Sequence, residues 1–413
     1  MISFAEARKV VFAACQTLAP ARVLTDKACN RVLAETIRAA ESIPPFDNSA
    51  MDGYAVRAAD TVEPPSTLRV SGSVFAGHDP IVRVGHGESA RIMTGAAMPA
   101  GADAVCPLED VRTDMDRTSI VIKEPIPPGT FVRLTGTDVS AGAEVFEAGK
   151  YLRSGHIGVL ASLGVPSVLV YPIPKVGVLS TGDELWRKSG PLPRGKIRDA
   201  NRPALLAQLR SDGVTPIDLG IVGDDEVEMA SRLLDACDEC DAIITSGGVS
   251  VGDRDLLKDV LAALSGDTMK WMQVAIKPAK PLAFGVLESS RTPVFGLPGN
   301  PVSALVSYEL FVRPSLRLMA GFTLVDRPRF TAIADSDLLR LPDGKLHFIR
   351  VLARQAAGQL RVRSAGHQGS HNLRAMAQSN ALALVPDGHG VRSGEVVDVI
   401  LLDVEDLMQS CEA

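Results

Sequence analysis

The stretch Asp241-Ala-Ile-Ile-Thr-Ser-Gly-Gly-Val-Ser-Val-Gly-Asp-Arg-Asp255 decides the fold. Residues 242–245 are too few and too rich in β-branched side chains for a helix, so they predict a buried strand. The glycines that follow allow positive φ, which lets successive amide groups point into one concavity and bind a phosphate-like anion. Residues 256–261 then repeat apolar side chains at helical spacing after an acidic start. The stretch therefore predicts a strand, an anion-binding loop and a helix.

This loop does not match the common nucleotide-binding motifs. It lacks the terminal Gly-Lys-Ser/Thr of a Walker A sequence, and it lacks the Gly-x-Gly-x-x-Gly of a dinucleotide fingerprint. An ordinary turn between a strand and a helix often contains several glycines as well, so both interpretations stay open for the loop alone. An anion site therefore needs support from the rest of the chain.

Length and composition predict several domains and exclude some classes of partner. The chain has 413 residues, 46% of them hydrophobic, which is enough for about three or four buried cores. A net charge of -6 argues against nucleic acid or an anionic membrane as the main partner. The first residues lack signal-peptide features, and glycines and prolines interrupt the longest apolar run, so no membrane span is predicted.

The six cysteines are scattered along the chain and do not resemble the disulfide framework of a small secreted domain. A reducing cytoplasm is therefore predicted. Cys237-Asp-Glu-Cys240 has CxxC spacing, but no second CxxC or histidine pair accompanies it, so it provides only half of a zinc site. We interpret this pair as part of a helix and its following turn.

The first third of the chain predicts two helices and then a β-rich domain. Ser3 and Glu6 have the spacing of a capping box before an apolar helical pattern. A second helix is predicted over residues 26–40, which end before Pro44-Pro45. From residue 45 to 138, short strand-like runs alternate with Gly, Pro and Asp, which is typical of a β-rich domain. After this domain, a further helix is predicted over residues 156–163.

The rest of the chain predicts an α/β domain and a terminal β domain. Between residues 176 and 319, short strands alternate with helices, which is typical of a mostly parallel sheet covered on both faces. The last helix of this region is predicted over residues 302–319. After residue 321 only strand-like runs follow, so an all-β domain is predicted there.

Polar residues follow five of the predicted strands of the α/β domain, at residues 180–184, 223–225, 246–255, 277–281 and 297–301. Ligands of open α/β sheets bind outside the carboxyl ends of the strands. Carboxylates at these positions suit a divalent cation, and Lys277 and Lys280 suit an oxyanion. The last loop also precedes a helix N-terminus, which favours an anion. A metal-bridged phosphate site is therefore predicted at this edge.

Two polar segments of the β-rich region are further candidates for a ligand cleft, residues 46–55 with Asp47 and Asp52 and residues 91–96 with Thr94. Residues 133–138 close the region and place a cation, Arg133, and an anion, Asp138, at a predicted turn. The alternative that Asp47 and Asp52 only form Asx-turns stays open at this point.

Taken together, these segments strongly resemble the molybdopterin molybdenumtransferase family, called MoeA in bacteria and represented in animals by the E domain of gephyrin. The resemblance covers nearly the whole chain. The loop at Ser246 and the Pro-Gly-Asn-Pro at Pro298 are shared with molybdopterin adenylyltransferases, whereas the Met-Asp-Gly-Tyr-Ala at Met51 and the Thr-Gly-Asp-Glu-Leu at Thr181 are specific to this family. The remaining matches are residues 93–96, 133–138 and 276–281.

The resemblance implies a homodimer of elongated four-part protomers. Residues 21–44 and 140–172 correspond to a linker and dimerisation domain, and residues 45–139 to an inserted β-rich domain. Residues 1–20 and 173–322 correspond to a three-layer α/β molybdopterin-binding core. Residues 323–413 correspond to a C-terminal domain like a β-barrel.

The resemblance also implies an activity. Molybdenum from molybdate enters adenylylated molybdopterin, and cleavage of the pyrophosphate, dependent on a divalent cation such as Mg²⁺, releases AMP. Implied catalytic residues are Asp52, Glu184, Asp224, Asp255, Lys277 and Lys280, of which Glu184, Asp224 and Asp255 bind the metal. Implied substrate-binding residues are Thr94, Arg133, Asp138, Thr181, Ser246, Gly247, Gly248, Ser250, Pro298, Asn300 and Pro301.

Several alternatives stay open. Asp225 and Asp253 lie beside the implied metal ligands and compete with them for that role. A molybdopterin adenylyltransferase would share the α/β core, although the regions before and after this core count against it. A scaffold without catalysis is the third possibility, and the carboxylates at Glu184 and Asp255 count against it.

Overall fold

Two units divide the chain in the computed structural model, which describes residues 1–248 and 256–403. The first unit contains Met1–Ala21, Asn30–Val32 and the chain from Tyr171 onward. The second unit contains Arg22–Cys29 and Leu33–Val170. The predicted boundaries of four domains stay a prediction.

The first helix begins where the capping box in the sequence predicts it. Ser3 Oγ accepts a hydrogen bond from Glu6 N at 3.2 Å, and Glu6 Oε2 accepts one from Ser3 N at 2.8 Å. None of the helices in the described residues is long and apolar enough to cross a membrane. The α-helices are α1 (Phe4–Ala14), α2 (Ser154–Ser162), α3 (Asn201–Ser211), α4 (Glu226–Cys237), α5 (Leu256–Ser265), α6 (Pro301–Ser307), α7 (Arg313–Met319) and α8 (Leu373–Ala377).

The strands occur in both units. In the first half of the chain they are β1 (Ala21–Leu24), β2 (Ile37–Arg38), β3 (Asn48–Ser49), β4 (Gly53–Val56), β5 (Ser66–Val74), β6 (Glu88–Ile92), β7 (Ala104–Pro107), β8 (Val111–Thr113), β9 (Ser119–Ile122), β10 (Val132–Arg133), β11 (Glu144–Phe146), β12 (Ser167–Val170) and β13 (Lys175–Thr181). In the second half they are β14 (Thr215–Val222), β15 (Ala242–Ser246), β16 (Lys270–Gln273), β17 (Ile276–Lys277), β18 (Pro281–Val286), β19 (Pro293–Leu297), β20 (Arg329–Ala334), β21 (Leu338–Leu339), β22 (Leu346–Ala356), β23 (Gln359–Ser364), β24 (Ala381–Val385), β25 (Gly390–Val391) and β26 (Val396–Leu401).

The α/β core of the first unit is a six-stranded sheet in the order β14-β13-β15-β19-β18-β16. The first four strands are parallel, whereas β18 is antiparallel to both of its neighbours. One face packs on α1, α3 and α6, and the other face packs on α4 and α5, through two separate apolar clusters. The predicted three-layer arrangement is confirmed, with a mixed sheet whose parallel part runs from the edge strand β14 to β19.

The C-terminal part of the first unit is a closed barrel of five strands. Strand β22 pairs with β23 on one side and with β24 on the other, and β20 and β26 complete the ring. Val351, Ala383 and Val399 are fully buried in its core. The predicted β-barrel-like domain is confirmed.

The second unit is built mainly from a six-stranded sheet in the order β7-β4-β6-β5-β9-β8. Its core includes Tyr54, Leu68 and Ile120, which are almost completely buried. This sheet confirms the predicted β-rich region, and α2 confirms the helix predicted near residues 156–163.

The helix predicted over residues 26–40 is wrong. A short 3₁₀ turn, Thr25–Lys27, follows β1 instead, and Asn30 has a positive φ of 64°, which ends any right-handed helix. Leu33 N then donates to Lys150 O at 2.9 Å, and Ile37–Arg38 pairs with β11. Pairing with segments distant in sequence therefore overrides the local helical pattern.

The helix predicted over residues 302–319 has three parts, because a π-helical turn, Tyr308–Val312, lies between α6 and α7. This turn carries a buried polar network. Tyr308 Oη donates to Asp212 Oδ2 at 2.8 Å, and Arg327 Nε donates to Glu309 Oε1 at 2.7 Å. The apolar spacing of the sequence fits a continuous helix and does not reveal the wider turn.

Candidate active site

The polar loops of the α/β core meet at one edge of its sheet. The carboxyl ends of β14, β13, β15 and β19 lie at this edge because these strands are parallel. Strand β16 points the same way, since it is antiparallel to β18, which is itself antiparallel to β19. The edge therefore carries the loops that begin at Thr181, Val222, Ser246, Gln273 and Leu297. This is where ligands bind in open α/β sheets.

The first two glycines after β15 have the positive φ that the sequence predicts. Gly247 and Gly248 have positive φ values of 106° and 65°. A Cβ on Gly247 would lie 2.8 Å from Thr181 O, so only glycine fits at this position. Ser250, Asp253 and Asp255 lie outside the described residues, and their predicted roles stay predictions.

The loops after β13 and β14 place carboxylates close to each other. Asp183 Oδ1 accepts a hydrogen bond from Asp224 N at 3.2 Å. A Cβ on Gly223 would lie 2.8 Å from this same oxygen, and a Cβ on Gly182 would lie 2.2 Å from Glu184 Oε2. Both glycines therefore leave room for an acidic side chain. The residue-level prediction missed Asp183, although it lies within the quoted Thr-Gly-Asp-Glu motif.

Asp224 and Asp225 differ in their hydrogen bonds. Asp225 caps α4, where its Oδ1 accepts from Val227 N at 3.0 Å and from Glu228 N at 2.9 Å. The carboxylate of Asp224 accepts no such bond from the residues that the structure describes. Asp224 is therefore the better candidate for a ligand contact, and Asp225 has a structural role.

The carboxylates at this edge fit Mg²⁺ as donors. Within residues 1–248 and 256–403, no group of three or more His, Cys, Asp or Glu side chains could hold a metal ion. Mg²⁺ does not need such a cage, because it keeps several waters and is commonly held by one or two carboxylates together with substrate phosphates. Glu184 and Asp224 lie on adjacent loops of this edge, and their role as metal ligands stays a prediction.

The lysine loop lies between β16 and β18. Val274 N donates to Lys280 O at 2.7 Å, and Ala279, buried with a positive φ of 74°, shapes the turn. Lys277 belongs to β17, which pairs with β22 of the barrel. Both lysines line a cavity of about 900 Å³ between the α/β core and the barrel, together with Asn300, Ser303, His347 and Gln368.

Beside this cavity, Arg350 is completely buried. Its Nη2 donates to His367 O at 2.8 Å and to Gly369 O at 3.2 Å, and Gly369 and Gln368 both line the cavity. Its Nε and Nη1 atoms have no partner among the described residues. Burial lowers the pKa of this guanidinium. Arg350 does not itself line the cavity, so it supports the cavity wall from behind, through its hydrogen bonds to the backbone of His367 and Gly369.

The sequence analysis did not select Arg350, although one signal was present. The arginine interrupts the apolar run Phe348-Ile349-Arg350-Val351-Leu352 in a strand, and charged side chains are rarely buried without a partner.

The barrel side of the cavity contains a charged cluster around Asp343. Lys345 Nζ donates to Asp343 Oδ2 at 2.8 Å, and His347 Nε2 lies 3.2 Å from Asp343 Oδ1. The hydrogen bond from Lys345 is the main reason that the pKa of Asp343 is far below its usual value. Burial lowers the pKa of His347, whose strand register places it opposite Lys277. His347 is therefore a titratable group in the wall of a cavity with several cations.

In the second unit, Asp52 and Thr94 are joined directly. Asp52 Oδ1 accepts from Thr94 N at 2.7 Å and from Thr94 Oγ1 at 2.8 Å, and the backbone hydrogen bond is the main cause of the lowered pKa of Asp52. Asp47 accepts the same two bonds from Thr135, at 2.7 and 2.8 Å. These contacts are not Asx-turns, because the bonded residues are distant in sequence.

The other two predicted residues of this unit lie on the neighbouring segment. Arg133 of β10 pairs with Asn48 of β3, next to Asp47, and its side chain is exposed. Asp138 N donates to Ile43 O at 3.0 Å. Strand β3 also contacts residues 95–97, because Gly95 N donates to Ser49 O at 2.8 Å. Asp52, Thr94 and Arg133 therefore belong to segments that meet along β3.

The CxxC pair lies where the sequence predicts, at the end of α4 and in the following turn. Cys237 Sγ donates to Leu233 O at 3.2 Å, and burial raises the pKa of Cys240 to about 11. The hydrogen bond of Cys237 and the raised pKa of Cys240 are both typical of thiols that pack in the fold.

Three family models match the chain in succession. Residues 2–164 match the MoeA N-terminal region (domain I and II), residues 177–318 match a probable molybdopterin binding domain, and residues 336–402 match the MoeA C-terminal region (domain IV). The matched ranges include the polar segments of both units.

Full-length relatives are also similar. A molybdopterin molybdenumtransferase from Haemophilus influenzae is 42% identical over 90% of this chain and 91% of its own length. Molybdopterin molybdenumtransferase 2 from Mycobacterium tuberculosis is 37% identical over 94% of this chain and 96% of its own. The crystal structure of a molybdopterin biosynthesis MoeA protein from Pyrococcus horikosii superposes with a TM-score of 0.81 at 31% identity, covering 98% of this chain and 99% of that one.

Proposed function

This chain belongs to the molybdopterin molybdenumtransferase family, and we propose that it inserts molybdenum from molybdate into adenylylated molybdopterin and releases AMP. At 42% identity over 90% of the chain, family membership makes it a transferase of molybdenum cofactor biosynthesis. The adenylylated substrate and the cleavage of its pyrophosphate are the proposed details. Five of its cysteines are free thiols, which supports the predicted cytoplasm as its compartment.

The observation that carries the proposal is a pair of lysines in the wall of the cavity. Lys277 and Lys280 both line it, and Arg350 supports its wall from behind through hydrogen bonds to His367 O and Gly369 O. Neither lysine forms an ion pair with a carboxylate of the described residues. A tetrahedral oxyanion such as molybdate offers four oxygen atoms to such donors, and hydrogen bonds between charged groups are the strong ones.

The geometry also explains why the protein needs cations here. Molybdate and the pyrophosphate of the substrate are both multiply charged, and two unit charges 4 Å apart repel by ~4 kcal/mol at an effective dielectric constant of 20. Lys277 and Lys280, which line the cavity, reduce this repulsion. The amides of Gly247 and Gly248 suit the phosphate oxygens. The protein therefore contributes charge and position, while the sulfurs that receive molybdenum belong to the substrate.

Mg²⁺ is the proposed cofactor. Glu184 and Asp224 would hold it at the sheet edge, with Asp255 as the third implied ligand. When bound, Mg²⁺ neutralises phosphate oxygens and makes AMP a better leaving group. Asp183 keeps the loop of Asp224 in place through its hydrogen bond to Asp224 N.

We further propose that the enzyme is a homodimer in which Asp52, Thr94, Arg133 and Asp138 of one protomer act on the substrate of the other. This proposal rests on the family resemblance. The hydrogen bonds from Thr94 keep the Asp52 carboxylate ionised and fix its orientation, as a role in the reaction requires.

AMP release from adenylylated molybdopterin, measured with and without molybdate, tests the proposal. We expect AMP release that depends on Mg²⁺ and molybdate, and the Lys277→Ala variant should need a higher molybdate concentration. Lys175→Ala is the matched control, because Lys175 is exposed at the start of β13, at the opposite edge of the sheet. ATP consumption with molybdopterin, in place of AMP release, would instead indicate an adenylyltransferase.

A further inference from the structure

Asn201 connects two loops that the proposed reaction uses for different anions. Its Nδ2 donates to Ser246 Oγ at 2.7 Å and to Gly299 O at 2.8 Å. Ser246 begins the glycine-rich loop proposed for the phosphates. Gly299 precedes Asn300, which lines the cavity proposed for the oxyanion. One side-chain amide therefore joins the two halves of the proposed site.

The chemistry of the partners fixes the orientation of this amide. The carbonyl oxygen of Gly299 can only accept, so the Asn201 nitrogen must face it. Ser246 Oγ can accept or donate, and accepts here. The Asn201 Oδ1 atom is buried and has no donor among the described residues. Each hydrogen atom of Nδ2 thus holds one loop.

The two loops are in contact where Asn201 joins them. A Cβ placed on Gly299 would lie 3.8 Å from the Cα of Gly247, and Gly247 N donates to Leu297 O at 3.2 Å. At such a distance, a small change in one loop alters the position of the other.

Asn201 is held by a rigid support. It is the first residue of α3, whose Leu205, Leu206 and Leu209 are buried against the sheet. Asp199 accepts hydrogen bonds from Arg202 N at 3.1 Å and from Arg202 Nε at 3.0 Å, which fixes the start of the helix. The amide can therefore hold the loops against a fixed element of the core.

We propose that Asn201 is a positioning residue that sets the distance between the phosphate-binding loop and the oxyanion cavity. This inference rests on the proposed function and adds a residue that aligns the two anions for reaction. A misplacement of about 1 Å between reacting groups can cost about 100-fold in rate, even when each group still binds. The predicted signature is a loss of turnover without a matching loss of affinity.

The Asn201→Asp variant is the main test, because it keeps the shape of the side chain and removes both Nδ2 donors. We expect kcat for AMP release to fall about 100-fold in Asn201→Asp and in Asn201→Ala. The dissociation constants for AMP and for molybdate, measured separately by calorimetry in Asn201→Ala because alanine adds no negative charge, should change less than about threefold. Arg210→Ala, at the exposed end of the same helix, is the control and should keep wild-type kcat.

A second measurement does not depend on activity. Amide hydrogen exchange of peptides containing residues 246–248 and 297–300 should become faster in both loops of Asn201→Asp, and in neither loop of Arg210→Ala. Unchanged exchange together with wild-type kcat would overturn the inference. An affinity loss for a single ligand as large as the kcat loss would also overturn it, because Asn201 would then serve one subsite only.

The two proposals fail in different ways. If the wild-type protein releases no AMP, the proposed function fails, and the exchange measurement still tests whether Asn201 joins the loops. If the wild-type protein is active and Asn201→Asp is equally active, the role of Asn201 fails and the proposed function stands.

Discussion

The candidate residues of the two units differ in how fully their polar groups are satisfied. In the second unit, Asp52 is exposed and accepts two hydrogen bonds from Thr94. In the first unit, Arg350 is completely buried and two of its nitrogen atoms have no partner among the described residues. The second unit therefore has an exposed carboxylate whose hydrogen bonds are formed, and the first unit has a buried cation whose hydrogen bonds are only partly formed.

The two groups therefore differ in what they cost the folded protein before any ligand binds. An exposed carboxylate with donors in place costs little before the substrate arrives, because water satisfies its remaining lone pairs. A buried guanidinium with unpaired nitrogen atoms costs folding free energy. We therefore expect substitutions at the cavity to have opposite effects on activity and stability, and substitutions at the exposed carboxylates to change activity with little change in stability.

The largest expected effect is at Arg350. Arg350→Met should reduce molybdate-dependent AMP release about 100-fold, because Arg350 Nη2 holds the backbone of His367 and Gly369 beside the cavity. Its free energy of unfolding should stay within about 1 kcal/mol of wild type or increase, because an unpaired buried charge is removed. Steady-state kinetics and urea denaturation measure the two quantities.

Arg340→Met is the matched comparison, because Arg340 is equally buried but pairs with Asp343 and Asp387. Removing it leaves Asp387 without its cation, although Asp343 keeps Lys345, and it removes the donor to the backbone carbonyls of Val385 and Pro386. The free energy of unfolding should therefore fall by about 3 kcal/mol. Equal stability losses at Arg350 and Arg340 would contradict the distinction between an unpaired and a paired cation.

A second large effect is expected at Asp224. Asp224→Asn should lose Mg²⁺-dependent turnover while keeping the fold. Asp225→Asn should keep activity, because asparagine also caps a helix, and Asp225→Ala should lower the free energy of unfolding by about 1 kcal/mol. If Asp225→Asn loses the Mg²⁺ dependence and Asp224→Asn does not, the assignment of the two carboxylates is reversed.

The paired carboxylates of the second unit provide a third test. Asp52→Ala should lower turnover, whereas Asp47→Ala, which removes the same two bonds to a threonine, should leave turnover unchanged. Folded-state hydrogen bonds lower both pKa values. Any stability from these bonds is therefore present above the unfolded pKa of about 3.9 and lost as pH falls below it. The Thr94 amide resonance, followed by NMR from pH 5 to pH 2, should report that loss.

Mixed dimers test the proposed sharing of the site. If Asp52→Ala and Lys277→Ala are each inactive, refolding them together should restore roughly one quarter of wild-type activity, since about half the dimers then contain one intact site. An absence of recovery, despite demonstrated subunit exchange, would place both residues in the site of the same protomer or outside the chemistry.

The smallest expected effect is at His347. Its neighbours in the cluster are Asp343, Lys345, Arg340 and Lys277. Because burial places its folded pKa below the unfolded value of about 6.5, it is neutral at pH 7 and gains charge as pH falls through the folded pKa. This protonation removes stability, but it adds a positive charge to the cavity.

Anion affinity should therefore rise roughly threefold, an effect of under about 1 kcal/mol between partly screened charges, as pH falls from 7 through the folded pKa of His347. Calorimetric titration with sulfate measures this change, because sulfate keeps its charge over that range. His347→Gln should show a flat profile, and a rise that persists in this variant would assign the pH dependence to another group.

The sequence by itself determined the elements and the edge at which the polar loops meet. Residues 242–246 become a strand because their apolar, β-branched side chains need burial on both faces. Gly247 follows because its positive φ excludes a side chain. These features are local, so spacing and residue type are enough to predict them. The same local rules predicted a helix over residues 26–40, where distant partners of Leu33 and Ile37 imposed another structure.

Only the tertiary structure decided which polar groups are satisfied. The sequence treats Asp224 and Asp225 alike, and the cap on α4 separates them. In the sequence, Arg350 is one charged residue in a predicted strand, and only the closed barrel buries it. Asn201 is the first residue of a helix, and only the tertiary structure brings the loops after β15 and β19 within hydrogen-bonding distance of its amide. Hydrogen-bond satisfaction depends on atoms far apart in sequence, and no local pattern specifies those partners.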